Sequence, residues 1–275
     1  YLTSFTGDQF SFSFIKEKNP HLLSSNYIPN YTAGLTFFIA VAATNLFHQG
    51  NWQRVYAAKN NDVLKKSLIF AFIVIIPIVL FMGFSGLVAI SVNSKVIPDL
   101  GFFSLLLRDQ TEFLSMIIII LGLSLTISTV DTLVNAISSL IVVDGKATFN
   151  LSNKANYLDF SKYFIVGLSI VAFIIASKGF SILYLFLLAD LFCCAFVLTV
   201  FYSFYNKKMN EKNAYISIII GLIGGILLFP APDFSKSLLV GIMFPAESFP
   251  GFFSQSLLFL SFIIATFLPV VFWKK

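Results

Sequence analysis

Oxygen-bearing side chains recur on one face of an apolar segment near the middle of the chain. In the segment 121–144, which reads LGLSLTISTVDTLVNAISSLIVVD, four polar residues follow one another at intervals of three and four positions: Ser124, Ser128, Asp131 and Asn135. That spacing places them on one side of an α-helix, with Thr129 and Thr132 beside them. Hydroxyl and carboxylate oxygens are the ligands that hard cations prefer, so the pattern favours a site for a small alkali cation. The alternative is hydrogen bonding between helices, which Ser and Thr commonly provide in membranes.

A second polar cluster lies in the segment 32–58. The first half of this segment is smoothly apolar, and six polar or flexible residues then follow within eight positions: Thr44, Asn45, His48, Gln49, Gly50 and Asn51. Such a cluster inside an apolar run is typical of an interrupted helix whose free backbone groups face a cavity. The alternative is a helix that ends at Gly50 and leaves the polar run at the membrane surface.

Asp190 lies near the middle of the apolar run 181–205. An acidic residue inside such a run is costly and therefore indicates function by default. It could pair with a cation, titrate in a proton relay, or pair with a polar group of another helix. The sequence leaves these three roles open.

The composition determines which kind of element positions these residues. Hydrophobic residues make up 57% of the 275 residues and charged residues only 11%, whereas soluble domains carry about 25% charge. The apolar runs are continuous rather than alternating, and each approaches the roughly 20 residues that a helix needs to cross a bilayer. An all-α membrane protein is therefore expected, with about seven transmembrane helices at 31–57, 66–91, 114–143, 160–177, 181–205, 214–229 and 256–273.

Finer features of these segments lead to further predictions. The stretches 102–107 and 238–244 are too short to span and are expected to form short interfacial helices in outer loops. Gly221, Gly224 and Gly225 form a small-residue face that is suited to close helix contact. Pro77 and Pro269 are expected to kink their helices.

The basic residues predict the orientation of the chain. With residues 1–30 outside, twelve of the 18 Lys and Arg residues lie on the inner side, as the positive-inside rule requires. The N-terminus of this chain is therefore expected outside and its C-terminus in the cytoplasm. The inner residues are Arg54, Lys59, Lys65, Lys66, Lys146, Lys154, Lys162, Lys207, Lys208, Lys212, Lys274 and Lys275.

Two stretches of the sequence resemble the sodium:solute symporter family. The stretch 49–59, QGNWQRVYAAK, is similar to the end of the sixth core helix of that family. The stretch 127–132, ISTVDT, followed by Ser138, Ser139 and Asp144, is similar to its eighth core helix, above all in the proline, pantothenate and urea branches. The run 189–193, ADLFC, resembles the urea-transporter-like branch. Both main motifs occur in the family's order.

The resemblance implies a five-plus-five inverted-repeat transporter fold and ion-coupled uptake by alternating access. The positions that match the family's sodium site are Ser128 and Thr129, through their hydroxyl groups, and Leu125, through its backbone carbonyl. The broken sixth helix makes Thr44, Asn45 and His48 the candidates for substrate binding. Asp131 and Asp190 are intramembrane polar residues that could support the ion site indirectly.

The resemblance also implies partners. Residues 1–275 match the second repeat and two trailing helices as one transporter domain, so the first half of the transporter is expected as a partner. A small polar solute, Na⁺ and the lipid bilayer are the other expected partners, whereas nucleic acid and an organic cofactor are not expected. The solute could be urea, an amino acid such as proline, or a small carboxylate. A non-transporting membrane sensor or subunit derived from the same fold is the alternative function.

An enzyme is not expected. An intramembrane aspartyl protease would need two carboxylates that share a proton, here Asp131 and Asp190. The Gly-x-Gly-Asp and Tyr-Asp signatures of such proteases are absent at both positions. The sequence also shows no nucleotide-binding loop, metal motif or nucleophile-base set.

Overall fold

The computed structural model describes residues 11–93, 97–107, 111–149, 154–206, 209–234, 236–243 and 251–273. These stretches contain eleven α-helices: α1 (Phe12–Lys18), α2 (Ile28–Phe47), α3 (Gln49–Ala57), α4 (Asn61–Val92), α5 (Gly101–Leu106), α6 (Glu112–Phe149), α7 (Lys154–Ala176), α8 (Ile182–Tyr205), α9 (Glu211–Leu228), α10 (Leu238–Met243) and α11 (Gly251–Val271). Within the described stretches, the only β-type pairing is an isolated bridge between Pro230 and Ser237.

Five of the described helices are long and apolar enough to cross a membrane, namely α4, α6, α7, α8 and α9. The prediction of an all-α, multi-pass membrane protein is therefore confirmed. The predicted span at 31–57 is divided into α2 and α3. The described apolar part of α11, Ser256–Val271, is shorter than the other five segments. The count of seven spans stays a prediction.

Polar residues in the connections begin several of the helices. The side chain of Asn60 accepts the N–H of Val63 at 2.8 Å and so caps the start of α4. At the start of α9, Asn210 Oδ1 accepts the N–H of Lys212 at 3.1 Å. Such caps satisfy backbone donors that have no partner inside the helix. The local sequence therefore explains where these helices begin.

Two short helices lie where the sequence predicts outer loops with brief apolar stretches. They are α5, at Gly101–Leu106, and α10, at Leu238–Met243. Each has six residues, which is far too few for a helix to cross a bilayer. The prediction of short helices is confirmed, and their place at the membrane interface stays a prediction.

One packing unit consists of the described residues of 11–18 and 49–179. In it α6 packs along α7 and touches α3, while α4 packs against α1 and α5. Its buried apolar cluster is small and consists of Ile15, Val88, Ala89 and Leu105. The most apolar stretches of α4 and α6 have no buried residue within the described structure. Both helices therefore present long uncovered faces.

The second packing unit consists of the described residues of 19–48 and 180–275. In it α11 packs against α2, α8 and α9, and α8 packs against α2 and α9. Large side chains such as Leu187, Leu191 and Phe262 fill its core between small ones such as Ala43 and Cys194. The alternation of large and small side chains lets these helices pack closely.

The contact between α9 and α11 depends on glycine. A Cβ atom on Gly221 would lie 2.5 Å from Cγ of Pro269 and 2.9 Å from the carbonyl oxygen of Ala265. On Gly225 it would lie 2.9 Å from Cβ of Ala265 and 3.2 Å from Cδ1 of Leu191. Any larger residue would push the helices apart, so the predicted small-residue face of α9 is confirmed.

Candidate functional site

The predicted sodium-binding residues lie together on α6, in the first packing unit. Thr129 Oγ1 donates a hydrogen bond to the carbonyl oxygen of Leu125 at 2.9 Å, so these two oxygens lie side by side. Ser128 is exposed, and its hydroxyl makes no hydrogen bond within the part of the chain that is described. We call these three residues the α6 oxygen patch. Each hydroxyl oxygen retains a lone pair that a cation can use. The Leu125 carbonyl already accepts the N–H and the hydroxyl of Thr129, so a cation would replace the hydroxyl bond there.

Other hydroxyl groups along α6 also bond to the carbonyl one turn earlier. Thr126 Oγ1 donates to Gly122 O at 2.9 Å, and Thr132 Oγ1 donates to Ser128 O at 3.0 Å. Residues 123–131 are all exposed. Hard cations such as Ca²⁺ and Mg²⁺ take about six or more oxygen ligands. A complete cation site therefore requires oxygens from a second element besides α6.

Asp131 lies on the same helix, three residues beyond Ser128. It is exposed, and its Oδ2 accepts a long hydrogen bond of 3.4 Å from Asn135 Nδ2. This contact keeps the carboxylate on the polar face that the spacing predicts. Indirect support of an ion by Asp131 stays a prediction.

The end of the polar segment of α6 makes hydrogen bonds to other helices. Ser138 Oγ lies 3.0 Å from Ser161 Oγ on α7. Gln53 Nε2 on α3 donates to Ser139 Oγ at 2.8 Å. Hydrogen bonding between helices, which was the alternative interpretation of this segment, therefore applies to Ser138 and Ser139.

The helix at the second polar cluster is interrupted at His48. Helix α2 ends at Phe47, α3 begins at Gln49, and His48 between them has extended backbone with ψ 102°. The N–H of His48 bonds to the carbonyl oxygen of Asn45 at 3.3 Å. The helix therefore ends inside the polar cluster, one residue before the Gln49-Gly50 pair, as both interpretations of this segment require. That the free backbone groups face a cavity stays a prediction.

The predicted substrate residues do not share one partner. Thr44 Oγ1 donates a hydrogen bond to Oδ1 of Asp190 on α8. Asn45 is exposed, and its side-chain amide donates to Val41 O at 2.8 Å. His48 is half-buried, and its Nδ1 has no hydrogen-bond partner in the described ranges. The structure therefore places Thr44, half-buried, against α8 and Asn45 on the surface of the bundle.

Asp190 lies in the core of the second packing unit. Its side chain is fully buried, at 0% exposure. Of the three roles that the sequence leaves open, pairing with a polar group of another helix is present, with Thr44 as the partner. The other carboxylate oxygen, Oδ2, has no hydrogen-bond partner among the described residues. Sequence reasoning did not predict this pairing, because nothing in the periodicity links residues 146 positions apart.

A cavity of about 370 Å³ lies in the same packing unit, at the start of α2. Its lining includes His21, Tyr27, Thr32, Thr36 and Phe234. Asn30 Nδ2 holds the preceding turn by donating to the carbonyl oxygens of His21 and Leu22, at 3.0 and 3.1 Å. None of the predicted substrate residues lines this cavity, and the sequence carried no signal for it.

The described residues contain no group of three or more His, Cys, Asp or Glu side chains that could hold a metal ion. Comparison of the sequence with family models, curated proteins and solved structures found no match. The resemblance to the sodium:solute symporter family therefore stays a prediction.

Proposed function

We propose that this chain is part of a sodium-coupled symporter, which moves a small polar organic solute across the cytoplasmic membrane by alternating access. The observation that carries the proposal is the α6 oxygen patch. It presents a hydroxyl, a second hydroxyl and a backbone carbonyl on the exposed surface of an apolar, membrane-spanning helix.

The patch points to a binding site because lipid hydrocarbon surrounds a membrane-spanning helix. Hydrocarbon offers no hydrogen bonds, so polar groups at this depth normally face protein or a water-filled cavity. The Ser128 hydroxyl has no partner on its own helix. A second helix that supplies further oxygens next to the patch would give a cation the remaining ligands. In the proposed symporter this second helix belongs to the first half of the transporter.

The interrupted helix supports a solute site. Free backbone groups at a break in a membrane helix bind solutes and ions in several transporter folds. The break at His48 lies inside the polar cluster, and Thr44, Asn45 and His48 are the proposed substrate-binding residues. Of these, Asn45 is exposed. Urea, an amino acid such as proline, and a small carboxylate are the proposed classes of solute.

Sodium supplies the driving force in this proposal. Each charge that moves inward across 100 mV releases about 2.3 kcal/mol, in addition to the energy of the concentration gradient. Sodium bound at the α6 oxygen patch would raise the affinity for solute, as a coupling between two sites requires. The proposed orientation places the N-terminus of this chain outside and its C-terminus in the cytoplasm, as the distribution of Lys and Arg favours.

Uptake into proteoliposomes tests the proposal. The protein would be prepared together with the first half of the transporter, and uptake of labelled urea, proline and small carboxylates would be measured with and without a sodium gradient. We expect gradient-dependent uptake of one solute in the wild type and its loss in Thr129→Ala. Ser169→Ala is the matched control, because Ser169 is likewise exposed and its hydroxyl makes the same kind of backbone bond, to the carbonyl oxygen of Ile165 at 2.8 Å, but on another apolar helix, α7.

The outcomes separate the two functions. Sodium-dependent uptake that survives in Ser169→Ala and is lost in Thr129→Ala supports the symporter. A folded protein that takes up no solute would instead favour the non-transporting sensor or subunit.

A further inference from the structure

Asp190 has an incomplete set of partners. One carboxylate oxygen accepts a hydrogen bond from Thr44, and the other has no partner among the described residues. The side chain is fully buried, inside a helix that is long and apolar enough to span a membrane. An ionised carboxylate in such a place is costly unless a cation or several donors compensate its charge.

No cationic side chain compensates Asp190 in the described structure. The helices packed against α8 are α2, α9 and α11. Helix α11 contains no titratable residue. Leu191, the residue after Asp190, lies against Gly225, so Asp190 lies next to the part of α9 near Gly225. The titratable residues of α9 lie in its first five positions, at least ten residues before Gly225, or about 15 Å along the helix axis.

The remaining titratable groups lie on α8 and α2. On α8 the nearest are the thiols of Cys193 and Cys194, and Tyr184 lies six residues earlier. On α2, Tyr31 precedes Thr44 by thirteen residues, or about 20 Å. His48 follows Thr44 by one helical turn. Of these groups, only the imidazole of His48 both lies within a turn of the Thr44–Asp190 contact and has a ring nitrogen that can accept a proton.

His48, like Asp190, has a buried polar atom without a hydrogen-bond partner among the described residues. Among the described residues, only two buried side-chain nitrogen or oxygen atoms have no hydrogen-bond partner, and they are His48 Nδ1 and Asp190 Oδ2. One residue contacts Thr44 and the other lies one turn beyond it. Buried polar groups are normally satisfied, so two unpartnered atoms, one at the Thr44 contact and one on a residue a helical turn beyond it, require an explanation.

We propose that Asp190 is a proton-binding site and that His48 is the group through which it exchanges its proton. The Asp190 carboxyl is neutral in the packed unit: Oδ1 accepts from Thr44, and Oδ2 carries the proton. On exchange, the O–H bond at Oδ2 breaks and the proton passes through a water molecule to His48 Nδ1, because these two atoms are not hydrogen-bonded to each other. A carboxylate and an imidazolium remain. Because the His48 side chain is half-buried, the imidazolium can pass its proton to water.

A proton fits this site better than sodium does. A metal cation needs several oxygen ligands, and the fully buried carboxyl has the Thr44 hydroxyl as its one described hydrogen-bond partner. A proton needs a single oxygen. This inference does not depend on sodium coupling or on transport, because the protonation of Asp190 can be measured in the resting protein.

Infrared spectroscopy of the protein in lipid vesicles at neutral pH tests the proposal. We expect the carbonyl stretching band of a neutral carboxylic acid, lost in Asp190→Asn and shifted to higher frequency in Thr44→Val, which removes the hydrogen bond to Oδ1. Asp159→Asn is the matched control, because Asp159 is exposed and paired with Lys162 at 3.2 Å. An acid band that is absent, or unchanged in Asp190→Asn, would overturn the proposal.

A second measurement keeps the proposal testable if Asp190→Asn does not fold. Dicyclohexylcarbodiimide reacts with protonated carboxyl groups in apolar surroundings, and mass spectrometry locates the adduct in the wild-type protein. We expect an adduct on Asp190 and none on Asp159, whereas an unlabelled Asp190 would count against a bound proton. The role of His48 predicts slower hydrogen–deuterium exchange of the acid band in His48→Gln. An unchanged exchange rate would remove His48 from the proposal.

Discussion

Helix α6 of the first packing unit and helix α8 of the second are equally apolar in their most apolar stretches, but the two units bury their helices very differently. In the first unit, the most apolar stretches of α4 and α6 have no buried residue. In the second unit, 39% of the corresponding stretch of α8 is buried. The second unit also contains the larger core, in which Phe262 and Leu191 are fully buried.

Small residues explain this difference better than hydropathy does. In a membrane, lipid is as apolar as leucine, so helices associate mainly through close packing. The glycines of α9 let α11 approach to contact distance, whereas a Cβ atom on Gly122 of α6 or Gly167 of α7 would meet nothing within 4 Å. The apolar runs identify membrane helices, and the position of the small residues decides which of them pack.

Among the predicted effects, truncation of a large side chain should give the largest difference in the free energy of unfolding between the two units. Leu191→Ala is expected to lower the free energy of unfolding by about 2–5 kcal/mol, because Leu191 is fully buried and its removal leaves a cavity. Ile73→Ala on α4 is the matched variant, since Ile73 is 62% exposed, and a change of about 0.5 kcal/mol or less is expected. Unfolding by detergent titration measures both. Equal losses of unfolding free energy in the two variants would contradict the claim that the two units bury their helices differently.

Adding one methyl group should have opposite effects in the two units. Gly221→Ala is expected to cost about 1–3 kcal/mol, because its Cβ would lie 2.9 Å from the backbone oxygen of Ala265. Gly167→Ala is expected to stabilise α7 by up to about 1 kcal/mol, through helix propensity alone. Thermal melting followed by circular dichroism compares them. A Gly221→Ala protein as stable as the wild type would show that the glycine face does not set the distance between α9 and α11.

The smallest effect concerns a polar contact of the first unit. Ser138→Ala removes the hydrogen bond to Ser161 between α6 and α7, and about 0.6 kcal/mol is expected, as for hydrogen bonds between membrane helices in general. A double-mutant cycle with Ser161→Ala measures the coupling itself. A coupling energy near zero would mean that this hydrogen bond does not stabilise the contact between α6 and α7.

Local sequence predicted the features that depend on neighbouring residues. The long apolar runs predicted the membrane helices, and the cluster around Gly50 predicted the interruption, which occurs at His48. The glycine spacing predicted a close-packing face on α9, although it did not name α11 as the partner. In each case the signal and the structure lie within a few turns of one helix.

Contacts between helices that are far apart in the chain could not be predicted from the sequence. Periodicity shows which residues share a face, but not which helix covers that face. For this reason the hydrogen bond from Thr44 to Asp190 was not predicted, and Asn45 was grouped with Thr44 although it lies on the surface. The division into two packing units has the same cause, because it depends on pairs of helices far apart in the chain.

Sodium binding at the α6 oxygen patch is the central claim of this account, and equilibrium binding of radioactive sodium to the protein in lipid nanodiscs measures it most directly. The protein would again be prepared with the first half of the transporter, and wild type would be compared with Ser128→Ala, Thr129→Ala and the control Ser169→Ala. We predict saturable binding in the wild type and the control, and binding weaker by about tenfold or more in the two patch variants, which corresponds to at least about 1.4 kcal/mol. Saturable binding that is unchanged in both patch variants, or no saturable binding to the folded wild type, would contradict the claim.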